Sequence, residues 1–169
     1  MEVPEILIDT PRLQMRHFCI DDVDAVFAFS TNPEVCRYTG DAGTVKTRQD
    51  AMKLITDLWQ EEYQRYGYAR YALIHKGDNK VIGFCGVKYL DDEQRPDIGY
   101  RMLPQYWGQG LAYEAAQATM DYARNELGLT NIMAEAVVEN IASNKILLKL
   151  GLTLVDNYQR YGFNVNRYE

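Results

Sequence analysis

The residues best placed to do chemistry are Tyr106-Trp107-Gly108-Gln109-Gly110-Leu111-Ala112, which follow Ile98-Gly99-Tyr100-Arg101-Met102-Leu103 and lead into an apolar, helix-forming run. A strand, a glycine-containing turn and a helix start are thereby set end to end. Gly108 and Gly110 permit a tight turn and close backbone approach, and the first N–H groups of the helix, at the positive end of its dipole, favour an anion. The stretch reads as a phosphate cradle. Gly-x-Gly-x-Ala alone is a weak signal, because tight turns also use glycine for purely structural reasons. A P-loop is excluded, since Leu111-Ala112 follows Gly110 where Lys and Ser or Thr are needed. A dinucleotide fingerprint fails as well: Tyr113 stands at the third glycine, and the preceding strands read as an antiparallel meander.

Other chemistries find little support. Cys19, Cys36 and Cys85 are odd in number and widely spaced, with no Cys-x-x-Cys or Cys/His cluster, so neither a disulfide framework nor a zinc site is expected. His17 and His75 lie far apart, and no metal is expected. With 18 Lys and Arg against 24 Asp and Glu, the net charge of −6 repels a phosphate backbone. Nucleic acid is therefore not an expected partner, whereas cationic small molecules or basic peptides are. The start of the chain has no basic leader, and no stretch approaches the ~20 apolar residues of a membrane span, which leads to the expectation of no membrane and a cytoplasmic protein. The 169 residues, 47% hydrophobic and 12% aromatic, suit one domain over 1–169. A chain of this length buries roughly 70% of its unfolded surface without disulfides.

The elements that must position the glycine turn are legible in outline. Arg12 to Arg16 alternates as a half-buried strand, and Asp21 offers an N-cap for a helix carrying Val23, Val26 and Phe27. Thr47-x-x-Asp50 resembles a capping box ahead of Met52, Ile55, Leu58, Trp59 and Tyr63 at helical spacing, ended by Gly67. Tyr68 to His75 and Val81 to Tyr89 form a hairpin about Lys76-Gly77-Asp78-Asn79, and Asp97 to Leu103 adds a third strand. A helix follows over 111–127, with Ala112, Ala116, Met120, Ala123 and Leu127 on one face and Gly128 as its stop. Ile132 to Val138 is a strand. Asn140 or Ile141 opens a short helix through Leu150, closed by Gly151, and the remainder is strand-like. The expected class is α+β, a mainly antiparallel central sheet of six to seven strands flanked by about four helices.

Taken together, Thr10-Pro11-Arg12-Leu13-Gln14-Met15-Arg16, Ile98-Gly99-Tyr100, Tyr106 to Ala112, Asn140-x-x-Ser143 and Leu150-Gly151-Leu152 resemble the GNAT superfamily of acyl-CoA-dependent N-acyltransferases, over nearly the whole chain. The resemblance is to its ribosomal-protein N-terminal acetyltransferase (RimJ/RimL-like) branch. It implies an N-acetyltransferase that uses acetyl-CoA as co-substrate and a primary amine as acceptor, either a protein N-terminus or a small molecule. It implies that backbone amides of Gly108, Gln109, Gly110, Leu111 and Ala112 hold the CoA pyrophosphate, that Met102 and Leu103 bond the pantetheine arm, and that Asn140 and Ser143 lie along that arm. Two positions depart from the superfamily pattern: Trp107 stands where Arg or Gln is common, and Leu147 where many members carry a tyrosine acid.

An alkyl amine with a pKa of about 10 is almost wholly protonated at neutral pH, so a base would help its attack on a thioester. Asp97 resembles the position of a glutamate base in histone-acetylating relatives, with a solvated turn carboxylate as the other reading; Glu135 and Glu139 are second choices. Strand N–H groups near Met102 or Leu103 could stabilise the oxyanion. With Leu147 at the tyrosine position, Ser143, one helical turn earlier, is the candidate proton donor to the thiolate; capping, or orienting the pantetheine, is its other reading. Tyr63, Tyr66, Tyr68 and Tyr71 serve the core and hairpin surface or line an acceptor pocket, and Trp59 reads as core. A non-catalytic CoA-binding module is the rival function, and a homodimer remains open.

Overall fold

Leu13 and Met15 are buried completely in β2 (Leu13–Arg16), which pairs antiparallel with β1 (Ile6–Asp9). The structure, a computed structural model, describes residues 2–169. The chain turns into α1 (Val23–Thr31) through a single 3-10 turn. There the expected cap shifts by one residue. Asp22, not Asp21, is buried; it accepts the Cys19 N–H at 2.9 Å and binds the Arg16 guanidinium through both oxygens at 2.8 and 3.0 Å. Asp21 is exposed.

The Thr47 capping box forms as expected, the Asp50 N–H donating to Thr47 Oγ1 and the Thr47 N–H to Asp50 Oδ2, both at 3.1 Å. It opens α2 (Arg48–Lys53), which continues without a break through a π-helical segment, Leu54–Trp59, into α3 (Gln60–Tyr66). Gly67, at φ +82°, ends it. The three strands of the meander follow as β3 (Arg70–His75), β4 (Lys80–Leu90) and β5 (Arg95–Met102), and then α4 (Leu111–Asn125). The buried face of α4 is Leu111, Ala115, Ala116, Thr119, Met120 and Ala123; Ala112 and Leu127 sit half-buried beside it.

The last third is β6 (Ala134–Val137), α5 (Ile141–Lys149), β7 (Leu154–Arg160) and β8 (Phe163–Tyr168). The fold is α+β, with four helical stretches, but the strands number eight among the described residues and divide into two sheets. One is antiparallel in the order β1-β2-β3-β4-β5, and the other runs β6-β8-β7. The expectation of six to seven strands overlooked β1 and left the second strand of the tail open, because β7 is almost entirely exposed and carries no apolar alternation. Helix α4 covers one face of the larger sheet through Met15, Leu73, Cys85 and Met120, while α1 and the α2–α3 helix cover the other through Phe18, Phe29, Ile55, Trp59 and Phe84. Trp59 is core, stacked on Phe18 at 4.2 Å between ring centres. No helix among the described residues is long and apolar enough to cross a membrane.

Candidate active site

Among the described residues, backbone hydrogen bonds join the two sheets only at the start of β5. Ile98 N–H donates to Met133 O and Met133 N–H to Pro96 O, each at 2.9 Å, and beyond this point no ladder joins β5 to β6. The resulting opening is a cavity of about 950 Å³, walled by residues 97–102 of β5, by Glu135, Ala136 and Val137 of β6, and by the first turns of α4 and α5. The Leu103 N–H is given to Ile82 O at 2.9 Å. Alternation along the antiparallel β4–β5 ladder then aims the N–H groups of Arg101 and Gly99 at β4 and those of Tyr100 and Met102 at the open edge, in line with Ile98. Leu103 therefore has no N–H to offer a ligand, and Tyr100, which the residue patterns did not single out, takes its place beside Met102.

On the α4 side of that edge, Gly108 and Gly110 both adopt left-handed conformations, at φ +75° and +79°. The first helical hydrogen bond is Glu114 N–H to Gly110 O, so the N–H groups of Leu111, Ala112 and Tyr113 have no partner within the helix. The turn is tied down from the far edge of the sheet. Arg12 donates to Gln109 O at 2.8 Å and to Glu114 Oε1 at 2.8 Å, and Thr10 Oγ1 donates to Glu114 Oε2 at 2.7 Å. Partial burial works against the Glu114 anion, but these bonds hold its carboxyl below the ordinary value. Trp107, half-exposed, donates its indole N–H to Met102 O at 2.8 Å and pins the turn to β5. Lys145 and Lys149 of α5 line the same side, Lys149 lying 4.1 Å over the Tyr113 ring.

Asn140 caps α5, its Oδ1 accepting the Ser143 N–H at 3.3 Å. Ser143 Oγ lies 3.0 Å from the Tyr100 hydroxyl. Burial pushes the Tyr100 phenol above its ordinary value, with the Ser143 bond opposing, so it is protonated at neutral pH. Leu147 is 1% exposed and belongs to the core while reaching the cavity wall. On the opposite face of β5, Asp97 is buried and binds Arg70, Oδ2 to Nη2 at 2.8 Å; burial raises its carboxyl above the ordinary 3.8 and Arg70 opposes this. Glu135 lines the cavity but is engaged by Tyr158 and by Arg160 at 3.2 Å. Glu139 is exposed and lies outside the cavity.

The structure thus brings Asp97, Met102, Gly108, Gly110, Leu111, Ala112, Asn140 and Ser143 to one cavity. Gln109 is at its margin with its carbonyl turned to Arg12, and Leu103 is outside. None of Tyr63, Tyr66, Tyr68 and Tyr71 reaches it; Tyr63 is held by Phe18 N–H and Arg70 O, and Tyr66 by Asp91. Arg70, Arg101 and the loop from Glu34 to Gly40 complete the cavity wall; Arg70 and the loop lie on elements far from the glycine turn in sequence and had no local signal there.

The family described as acetyltransferase (GNAT) domain matches residues 12–153. An uncharacterized N-acetyltransferase of Bacillus subtilis (strain 168), YoaA, is 32% identical over 146 residues, covering 86% of this chain and 81% of its own. Among solved structures, a GNAT-family acetyltransferase from Bacillus anthracis superposes with a TM-score of 0.81 at 25% identity, over 95% of both chains. RimL, a ribosomal L7/L12 alpha-N-protein acetyltransferase in complex with coenzyme A, superposes at 0.80 over 97% of this chain and 96% of its own; at 21% identity that likeness is one of fold.

Proposed function

The chain belongs to the GNAT acetyltransferase family, and on that premise we propose that it moves the acetyl group of acetyl-CoA to a primary amine. The observation that carries this reading is the pairing, in one cavity, of two unpartnered strand N–H groups, of Tyr100 and Met102, with the unpartnered helix N–H groups of Leu111, Ala112 and Tyr113. The helix groups, with Gly108 and Gly110 clearing the approach, suit a pyrophosphate. The Met102 and Tyr100 N–H groups suit the pantetheine amide and the thioester oxygen, where a donor stabilises charge only as it develops.

The chemistry is a direct displacement. The neutral amine attacks the thioester carbon, a C–N bond forms, the C–S bond breaks, and the amine's proton leaves to a base while the thiolate of CoA takes one up. Asp97 is the base, acting directly or through water, since burial makes it more basic than an ordinary carboxylate. Ser143 is the acid: the protonated Tyr100 phenol can donate to Ser143 Oγ and leave the serine's own proton to face the sulfur. Asn140 sets the start of α5 so that Ser143 reaches the cavity. The fold's likeness to RimL supports a place in the RimJ/RimL-like branch. The three buried free thiols suit a reducing cytoplasm, and residues 1–169 act as a single unit.

Calorimetry with acetyl-CoA, together with CoA release in the presence of amines, tests the reading. Wild-type protein binds acetyl-CoA and releases CoA. Gly110→Val, forced to hold a β-branched residue at φ +79° in the turn, loses affinity by tenfold or more. Unchanged affinity in a folded Gly110→Val protein would put the cofactor elsewhere, and binding without turnover of any amine would leave a CoA-binding module.

A further inference from the structure

Over the face of β5 turned away from α4 lie two guanidinium groups, Arg101 of that strand and Arg70 reaching across from β3, and one buried carboxylate, Asp97. Arg70 is committed through three of its five N–H donors, to Gly86 O at 2.6 Å, Asp97 O at 2.8 Å and Asp97 Oδ2 at 2.8 Å. Arg101 is not. Its guanidinium lies 4.7 Å over the Phe84 ring, its side chain is 15% exposed, and among the described residues its one hydrogen-bond partner is Asp41 Oδ2 at 3.2 Å. Asp41 belongs to an outer loop and is itself 47% exposed, so that contact is weak. Asp41 thus engages one of the five N–H donors of a guanidinium that lines the cavity.

Where Arg101 stands decides what it can bind. It lies between Tyr100 and Met102, the two residues whose N–H groups face the open edge, and shares a strand face with Asp97. An amine brought to a thioester at those N–H groups has its own neighbouring atoms beside Arg101. A planar fork with free donors matches a carboxylate through two parallel bonds, which an ammonium or a hydroxyl cannot reproduce. The remaining charges do not supply that anion: Glu135 is held by Arg160, Asp97 by Arg70, and Glu34 and Arg37 are exposed on one loop. Tyr38 and Phe163, packed edge to face at 6.4 Å, leave the rest of this side aromatic.

Resting on the acetyl-transfer reading, we propose that the acceptor is a primary amine that carries a carboxylate a few bonds from its nitrogen, as an amino acid does, and that Arg101 receives that carboxylate.

The test is CoA release with matched pairs: L-phenylalanine and phenethylamine, L-methionine and 3-(methylthio)propylamine, β-alanine and ethylamine, with an alanyl peptide amide as a carboxylate-free N-terminus. In wild type, the carboxylated member of at least one pair is used with a kcat/KM about tenfold or more above its partner. Arg101→Gln brings that ratio to near one, and Arg101→Lys restores only part of it. Asp41→Asn, which frees the guanidinium and leaves the core alone, lowers KM for the carboxylated acceptor and decides the matter if Arg101→Gln does not fold. A preference for the bare amines or the peptide, or a ratio that survives Arg101→Gln, overturns the inference while acetyl transfer stands. Acetyl-CoA binding with no CoA release from any of these amines overturns acetyl transfer, and the inference with it.

Discussion

Asp97 shows how one residue is set between opposed influences. Burial disfavours its anion, and the Arg70 guanidinium 2.8 Å away favours it; burial wins, and the carboxyl lies above its ordinary value. A base in that condition gives kcat/KM an acid limb above the range of a free aspartate. Removing Arg70 leaves burial unopposed, so in Arg70→Gln the limb moves to higher pH. Asp97→Asn removes the base, and we expect kcat/KM to fall on the order of a hundredfold at pH 7 and by less at pH 9–10, where free amine is abundant. A pH profile of kcat/KM for the three proteins checks both statements; a loss independent of pH would transfer the role to solvent. At this scale the residue types were readable and their partners were not. Asp97 could be singled out as a carboxylate on a strand, but Arg70, 27 residues earlier, could not be assigned to it without the β3–β4–β5 register.

Among the elements, α4 depends most on what surrounds its first turn. Its N-cap is Gly110, which has no side chain to satisfy the free N–H groups and leaves them to a ligand. What fixes the turn is the loop before β2: Thr10 and Arg12 reach Glu114, and Arg12 also holds the carbonyl of Gln109. Arg12→Ala should therefore loosen the cradle. The expected outcome is a rise of about three- to tenfold in the KM and Kd for acetyl-CoA with kcat little changed, since the Arg12–Glu114 pair is partly exposed and the helix itself is held by its buried face. Steady-state kinetics with calorimetry separates this from a loss of fold, which lowers kcat through the fraction of active protein. Elements announced by local chemistry were legible: Thr47 and Asp50 for α2, Gly67 for the end of α3, Asn140 for α5. The start of α1 was misread by one residue because Asp21 and Asp22 are equivalent as a sequence, and only the buried Arg16 chooses between them. The π-helical segment has no signature, since its residues continue the helical spacing.

For the molecule as a whole, the decisive feature is that β5 and β6 meet at Asp97 and Met133 and then part. The smaller sheet is locked to α5 by Asn144, whose amide donates to Val137 O and Asn140 O at 3.0 and 2.8 Å and whose Oδ1 accepts from Asn166 and Tyr168 at 2.9 and 2.5 Å. Asn144→Ala leaves these partners unpaired. We expect a stability loss of about 2–4 kcal/mol, seen in thermal unfolding as a fall in Tm on the order of 10 °C. A loss under about 0.5 kcal/mol would show that water replaces the side chain fully. By itself the sequence determined the α+β class, most elements and their order, the glycine turn and the cap of α5, because each of these is written in residues a few positions apart. Tertiary structure alone decided the division into two sheets, the N–H groups left facing the opening, the Tyr100–Ser143 contact across 43 residues and the Arg12–Glu114 clamp across 102. Such contacts follow from strand register and from where pairing stops, and those are set by how whole faces pack, which no short run of residues encodes.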